Sequence, residues 1–542
     1  MKRFLFLTTL ILASISFQGF GQLLTTAEKS NFESTSTYAD VIDFIKELDK
    51  NSGFIRIDTL AQTTEGRNIP LLIIGNPLPE SYADLENDDR LVVYIQANIH
   101  AGEVEGKEAT QMLARELLQT DSSEILKNVV VLLCPVFNAD GNEKFSKQNR
   151  TNQNGPVNGV GVRYNGQHLD LNRDAMKLES PEIRGVVTKI LNQWDPAISV
   201  DCHTTNGSYH EEPVTFTWMM NPNGDRNLIN YMRDEMMPDV SKTLSGKYNV
   251  ENVFYGEFID RMNLEKGWVS YASEPRYLVN YIGVRNRLSI LNENYVYADF
   301  KTRVNGSYKL LRSILEFAAA HPSEIKKMLD KADQQAIERG NRAAVTDSFA
   351  IKYKGYPTPK KITIKAFEAD TIPGKRGYWR YKKSDRKVTV TVPYIADYFA
   401  TESIRFPYAY VVSIPVEQVI ENLKTHGIQL EQLTKETEMK VERFKIEKLS
   451  PSKRINQGHY TNFVEGKYIT ETKTFPEGTY IIRTAQPLGS LAAYLLEPQT
   501  DDGLLKWNFF DRYLAPQWGN GYYPYPVYRI MEKSALKSQN LK

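Results

Sequence analysis

Continuous apolar runs rich in β-branched side chains recur through residues 23–319. The runs at residues 91–95 and 129–133 are typical of strands buried on both faces, as in a parallel sheet. Residues 104–119, between them, carry helix-forming residues with apolar positions near helical spacing. This alternation predicts an α/β fold in which a mixed central sheet is flanked by helices.

The pattern changes after residue 340. Residues 341–360 are polar and contain Pro357 and Pro359, so we predict a linker there. Beyond it, residues 361–364 and 387–392 alternate between apolar and polar side chains, which is typical of half-buried strands. A smaller β-rich C-terminal domain is expected over residues 361–542, and the sequence assigns it no role.

The N-terminus has the features of a secretory signal. Met1-Lys2-Arg3 is followed by a short apolar run to residue 17 and then by small residues, which predicts a signal peptide over residues 1–21. The run is short for a membrane span, and no cysteine near the cleavage point suggests a lipid anchor. We expect a periplasmic or secreted protein without stable membrane insertion; an uncleaved anchor is the alternative.

Composition narrows the classes of partner. The chain has 67 basic and 66 acidic residues, and this balance argues against nucleic acid or an anionic membrane as the main partner. Its 542 residues exceed what one core usually organises, so we expect an α/β domain over residues 22–340 besides the C-terminal one. An exported protein permits a disulfide between Cys134 and Cys202, but two buried free thiols fit equally well.

Candidate metal ligands follow two apolar runs. His100-Ala101-Gly102-Glu103 comes after residues 91–95, and His203 ends a second run that begins at residue 197. A catalytic zinc typically keeps three protein ligands and one open position. His100, Glu103 and His203 are therefore predicted to hold one ion. His210 is a rival ligand that does not follow a strand directly.

Other polar residues lie where ligands of an α/β sheet are usually bound, at the ends of strands and in the adjoining loops. Glu293 follows the apolar run of residues 288–291, and residues 148–155 form a polar loop. The remaining candidates are Glu65-Gly66-Arg67, Asn138-Ala139-Asp140-Gly141, Arg163, His168 and Asp170-Leu171-Asn172-Arg173.

In order and spacing, these pieces resemble the zinc carboxypeptidase family, which includes the pancreatic digestive carboxypeptidases. The matching pieces are Glu65-Gly66-Arg67, His100 with Glu103, Asn138-Ala139-Asp140-Gly141, Asp170-Leu171-Asn172-Arg173, His203 and Glu293. The resemblance covers residues 23–319. It implies a zinc-dependent metallocarboxypeptidase that removes C-terminal residues from peptides.

The resemblance also implies a role for each residue. Glu293 would be the general base and then the general acid. Arg150 would stabilise the oxyanion, with Arg163 as the substitute because the loop before Asn172 differs in length from the digestive enzymes. Asn172 and Arg173 would bind the terminal carboxylate of the substrate. Asp170 would bond the outer nitrogen of a zinc-binding histidine.

Several alternatives stay open. The family often has His-Ser where this chain has His203-Thr204, and the tyrosine that closes over the substrate is one of Tyr271, Tyr277 and Tyr281. A deacylase or amidase on the same fold would carry the same metal-ligand motifs, and a cell-wall peptide is a further substrate class. A non-catalytic binding protein is disfavoured because the metal ligands and Glu293 are all present.

Overall fold

The computed structural model describes residues 23–119, 123–205, 207–271, 273–373 and 379–541. The predicted signal peptide lies outside these ranges. Within them, no helix has both the length and the apolar character needed to cross a membrane.

Thirteen α-helices lie in the described ranges. They are α1 Thr26–Lys29, α2 Tyr38–Asn51, α3 Glu105–Leu117, α4 Ser123–Leu126, α5 Ala139–Asn142, α6 Pro181–Gly185, α7 Arg226–Tyr231, α8 Met237–Gly246, α9 Leu278–Val284, α10 Phe300–Ala320, α11 Pro322–Arg342, α12 Glu417–Thr425 and α13 Gly489–Leu496.

The strands form one central sheet and further sheets that involve the C-terminal region. They are β1 Ile55–Gln62, β2 Asn68–Ile74, β3 Leu91–Ala97, β4 Val129–Cys134, β5 Ile198–Thr205, β6 Val214–Trp218, β7 Asn252–Phe254, β8 Glu257–Phe258, β9 Trp268–Val269, β10 Leu288–Tyr295, β11 Ser348–Pro357, β12 Ile362–Pro373, β13 Trp379–Val392, β14 Tyr394–Arg405, β15 Ala409–Val412, β16 Glu431–Leu433, β17 Thr437–Pro451, β18 Asn462–Phe475, β19 Tyr480–Arg483, β20 Val527–Ile530 and β21 Ser538–Asn540.

The central sheet confirms the predicted fold class. Among the described residues its strand order is β1-β2-β4-β3-β5-β10-β6-β7. The inner strands β4, β3, β5 and β10 run parallel, and β1 and β2 pair antiparallel to their neighbours. At the other edge, β6 is antiparallel to β10 and parallel to β7. Val93 faces one hydrophobic layer, with α2, α3 and α10, and Tyr94 faces the other, with α9, α12 and α13. Both faces are therefore covered, as continuous apolar strands require.

Two of the sequence motifs meet in a structural lock at the end of the β1–β2 hairpin. The buried carboxylate of Asp140 accepts hydrogen bonds from Thr63 Oγ1 at 2.6 Å and from the backbone N–H of Glu65 at 3.1 Å. Arg67 Nη1 lies 2.8 Å from the same carboxylate. Because Asp140 lies in the first turn of α5, these bonds join the hairpin to the segment that follows β4.

The segment 341–360 differs from the prediction of a linker. Residues 348–357 form strand β11, which pairs with β14, and β14 in turn pairs with β9 of the preceding region. Its apolar residues Phe349 and Ile351 are buried, which explains why a segment with two prolines is ordered here as a strand. The C-terminal region is β-rich as predicted; its division from the rest as a separate domain stays a prediction.

The two cysteines are free and buried, which was one of the two alternatives. Cys134 ends β4 and Cys202 lies in β5, and β3 separates these strands in the sheet.

Candidate active site

Three adjacent parallel strands bring the predicted residues to one edge of the central sheet. His100 follows β3, His203 lies near the end of β5, and Glu293 lies in β10. The strands are neighbours in the order β3-β5-β10, and His203 is the register partner of Glu293. The carboxyl edge of the sheet thereby collects side chains that are far apart in sequence.

His100, Glu103 and His203 form a compact ligand cluster. Their potential ligand atoms all lie within 4.8 Å of one another, and all three side chains are buried. Glu103 Oε1 lies 3.1 Å from His100 Nδ1, and Glu103 Oε2 lies 3.0 Å from His203 Nδ1. The two Nδ1 atoms are 3.2 Å apart.

Carboxylates behind the two rings favour a cation in this cluster. His100 Nε2 is 3.0 Å from Asp170 Oδ1, and His203 Nε2 is 2.9 Å from Asp201 Oδ2. With each Nε2–H donated outwards, both Nδ1 lone pairs point at each other and at Glu103. Four converging acceptor atoms need a positive charge between them. Two imidazole nitrogens and a carboxylate are a typical zinc ligand set, so the residues fit this ion.

These neighbouring charges also shift the pKa values of His203 and Asp170. Burial alone would lower the pKa of His203, but the Asp201 and Glu103 carboxylates raise this pKa well above its usual value. Burial would raise the pKa of Asp170, yet its bond to His100 and the charges of Arg163 and Arg173 hold this pKa well below the usual range. Asp170 is therefore a carboxylate at neutral pH.

The turn that carries His100 and Glu103 is shaped by a residue that the sequence analysis did not single out. Asn98 adopts a left-handed backbone conformation with φ 69°, and its Nδ2 donates to the carbonyl oxygens of Ala101 and Glu103 at 3.1 Å each. Gly102 is required because a Cβ there would lie 2.5 Å from the Arg150 side chain. The local signal was an Asn two residues before His100, at the end of β3, since Asn tolerates this conformation.

Glu293 lies beside the ligand cluster as the register partner of His203. Burial raises its pKa to about 8, with the Glu103 charge adding to the effect and the charge of His203 opposing it. Its Oε2 is shielded from solvent and has no hydrogen-bond partner among the described residues.

Both candidate arginines face the cluster, from different directions. Arg150 Nη1 lies 2.9 Å from Glu103 Oε1, and Arg150 Nη2 donates to the Thr204 carbonyl at 3.0 Å. Arg163 Nη2 lies 2.8 Å from Asp170 Oδ2, and its Nη1 is 3.3 Å from His100 Nδ1. The geometry brings both to the site and leaves both as candidates for the oxyanion.

Asn172 and Arg173 lie next to the cluster in a short 3₁₀ turn that begins after Asp170. Asn172 Oδ1 accepts from the backbone N–H of Leu278 at 3.0 Å, so its amide is oriented by α9. The Arg173 guanidinium lies over the Tyr277 ring, 4.3 Å from the ring centre. Arg173 Nη1 donates to the Asn172 carbonyl at 2.7 Å. A guanidinium carries five N–H donors, so this bond uses one of them.

A cavity of about 310 Å³ opens over these residues. Its wall includes Tyr271 and Tyr277 but not Tyr281, which bonds His426 at 2.6 Å instead. Tyr255 also lines the cavity, although the sequence analysis did not single it out.

Two histidines of the sequence analysis stand apart from the cluster. His210 is buried and stacks on Tyr295 with ring centres 3.9 Å apart, and its Nδ1 lies 3.5 Å from Glu212. His168 is exposed. Asp201, in contrast, was missed as the partner of His203; its signal was the two-residue spacing, which places both side chains on one face of a strand.

The sequence is similar to those of known carboxypeptidases. Residues 41–220 match the family model described as zinc carboxypeptidase. Carboxypeptidase 2 of Trichophyton rubrum is 21% identical over 500 residues, which cover 86% of this chain and 81% of that protein. A probable carboxypeptidase 2 of Arthroderma benhamiae is 21% identical over 476 residues, covering 81% and 79%.

Solved structures of other carboxypeptidases resemble part of this chain. A metallo-carboxypeptidase from Burkholderia cenocepacia has a TM-score of 0.40 and 18% identity over 53% of this chain and 70% of that one. Carboxypeptidase A from Helicoverpa armigera has a TM-score of 0.38 and 17% identity, covering 53% and 75%. On the family match and the sequence relatives, residues 41–220 carry a zinc carboxypeptidase domain, and the protein is a metallopeptidase of the carboxypeptidase type.

Proposed function

We propose that this metallocarboxypeptidase hydrolyses the C-terminal peptide bond of peptides outside the cytoplasm, with Glu293 as the proton carrier. The observation that carries the proposal is the convergence of a metal-ligand cluster, a carboxylate of raised pKa and a guanidinium in one cavity. The predicted signal peptide supports the location.

His100, Glu103 and His203 would hold one zinc ion. When bound, zinc supplies Lewis acidity, which makes a water molecule more acidic and polarises a carbonyl oxygen. Asp170 and Asp201 keep the two imidazoles in the tautomer that presents Nδ1 to the ion.

Glu293 moves the proton. As a carboxylate it accepts a proton from the attacking water at Oε2, which has no other partner among the described residues. A carboxyl group with a raised pKa then returns this proton readily to the nitrogen of the leaving amine.

The arginines bind the charges of the substrate. The Arg173 guanidinium pairs with the terminal carboxylate of the peptide, and Asn172 lies beside it. Arg150 stabilises the oxyanion that develops on the scissile carbonyl, because it reaches the ligand cluster at Glu103. Tyr271 or Tyr277 covers the bound peptide from the cavity wall.

The test compares the purified chain with Glu293→Gln on blocked peptides with free or amidated C-termini and on N-acyl amino acids. We expect one zinc per chain in both proteins, cleavage of the free-carboxylate peptides, and a fall in kcat of about 100-fold or more in the variant. Glu438→Gln, which alters an exposed carboxylate on β17, is the matched control and should keep full activity.

Other outcomes would change the proposal. Cleavage of acyl amino acids alone would assign a deacylase, and equal cleavage of amidated peptides would remove the role of Arg173. Full activity in Glu293→Gln would contradict the role of this residue.

A further inference from the structure

The C-terminal region reaches Asp170, next to the ligand cluster, through the side chain of Gln457. Strands β17 and β18 form a long hairpin, and Gln457 lies in the loop that joins them. Gln457 Oε1 accepts a hydrogen bond from the backbone N–H of Asp170 at 2.7 Å. The two residues are 287 positions apart in the sequence.

Asp170 is the residue on which much of the site depends. One oxygen of its carboxylate lies 3.0 Å from His100 Nε2, and the other lies 2.8 Å from Arg163 Nη2. Asp170 is buried, so its backbone N–H needs a hydrogen-bond acceptor within the protein. Gln457 supplies that partner and thereby holds the backbone from which the carboxylate projects.

The backbone at Gln457 has a conformation that this residue type disfavours. The backbones of Asn456 and His459 exchange two hydrogen bonds, of 2.8 and 3.0 Å, and so close a two-residue turn. Both residues of this turn have a positive φ, 51° at Gln457 and 83° at Gly458. Turns with positive φ at both central positions favour Asn-Gly or Gly-Gly. Glutamine there is strained, and strain of this kind concentrates where a side chain is needed for function. Asn would suit the turn better but is one methylene shorter.

His459, two residues after Gln457, holds the turn against the catalytic region. His459 Nε2 lies 2.7 Å from Glu179 Oε1, and His459 Nδ1 lies 3.1 Å from Asn508 Oδ1. The ring also packs edge-on against Trp507. Because the turn is anchored on both sides of the junction, Gln457 is held rigidly at its contact with Asp170.

We propose that Gln457 is a positioning residue of the metal centre: by holding the Asp170 backbone, it sets the orientation of the His100 ring. The C-terminal region is therefore a working part of the active site rather than an appendage. This inference rests on the proposed function, since it takes His100 as a zinc ligand.

The test uses two variants of the full chain. Gln457→Asn suits the turn but falls short of Asp170, and Gln457→Met keeps the length but has no acceptor oxygen. In both, we expect the zinc dissociation constant, measured by competition with a chelator, to rise about tenfold, as for other residues that orient metal ligands. The melting temperature of the metal-free protein should fall less in Gln457→Asn than in Gln457→Met, because relief of the strained turn by Asn partly offsets the lost hydrogen bond to Asp170.

Ile455→Ala is the control, since Ile455 lies in the same loop and is 60% exposed. It should leave zinc affinity and melting temperature as they are. If both Gln457 variants bind zinc within a factor of about two of the unsubstituted chain, the inference is wrong, although the proposed function stands. If the unsubstituted chain binds no zinc, the proposed function itself fails.

Discussion

His203 and Glu293 are register partners on the adjacent parallel strands β5 and β10. Paired positions place both side chains on the same face of the sheet. The metal-ligand cluster and the proposed base are therefore set relative to each other by the hydrogen-bond ladder of the sheet interior. Sites built on strands hold catalytic geometry more precisely than sites built on loops.

Asp201 should matter for zinc affinity although it does not touch the ion. Asp201→Asn replaces the carboxylate that accepts from His203 Nε2, so the ring loses its fixed tautomer. We expect zinc affinity to fall about 10- to 100-fold, measured by chelator competition. Ser199→Ala, two residues earlier on β5, is the control, because Ser199 Oγ has no hydrogen-bond partner among the described residues. Unchanged zinc affinity in Asp201→Asn would exclude this role.

Arg150 and Arg163 can be distinguished by conservative substitution. Arg150→Lys should lower kcat about 100-fold with little change in KM, because a stabiliser of the oxyanion acts in the transition state. Arg163→Lys should mainly weaken zinc binding, because Arg163 contacts Asp170 and the His100 ring. Steady-state kinetics at saturating zinc and chelator titrations measure the two effects. The reverse pattern would transfer the oxyanion role to Arg163.

The activity should show an acidic limb that belongs to Glu293. Burial raises the pKa of Glu293 from 4.5 to about 8, and the base works only when ionised, so kcat/KM should rise with pH. A nearby zinc charge opposes burial, so we expect the limb between these two values. The measurement is kcat/KM across this range, with zinc content determined at each pH to separate metal loss. A flat profile from pH 4.5 to 8 would contradict the assignment.

Acid should destabilise the contact between α12 and the catalytic region. His426 accepts from Tyr281 Oη through Nδ1 at 2.6 Å and lies 3.2 Å from the Met176 carbonyl through Nε2. Burial and the Arg285 charge lower its pKa from 6.5 to about 3. Between these values the unfolded chain binds a proton that the folded chain does not, so this contribution to stability is complete above pH 6.5 and lost as pH falls towards 3.

The measurement is the urea midpoint of unfolding near neutral pH and at about pH 5. His426→Gln should show a smaller decrease on acidification than the unsubstituted chain. His168→Asn, at an exposed histidine, should keep the full decrease. An equal decrease in all three proteins would show that other groups dominate.

Local patterns in the sequence determined much of the fold. The apolar runs predicted β3 and β4, and the helical spacing after Gly102 predicted α3 to within two residues at either end. Burial on both faces imposes this composition on a strand directly, so the signal is contained in the segment itself. The spacing of His100 and Glu103 was informative for the same reason, since one turn carries both.

Tertiary structure decided the rest. The bond between His203 and Asp201 depends on both side chains lying on the same face of β5. Tyr281 is kept out of the cavity wall by its bond to His426. The strand at 348–357 forms because β14 pairs with it. The bond from Asp170 to Gln457 joins residues 287 positions apart. The sequence by itself determined which residue types could bind a metal and where buried strands such as β3 and β4 lie, because these follow from local composition and periodicity. Which side chains meet depends on the packing of distant segments, and no local pattern encodes that packing.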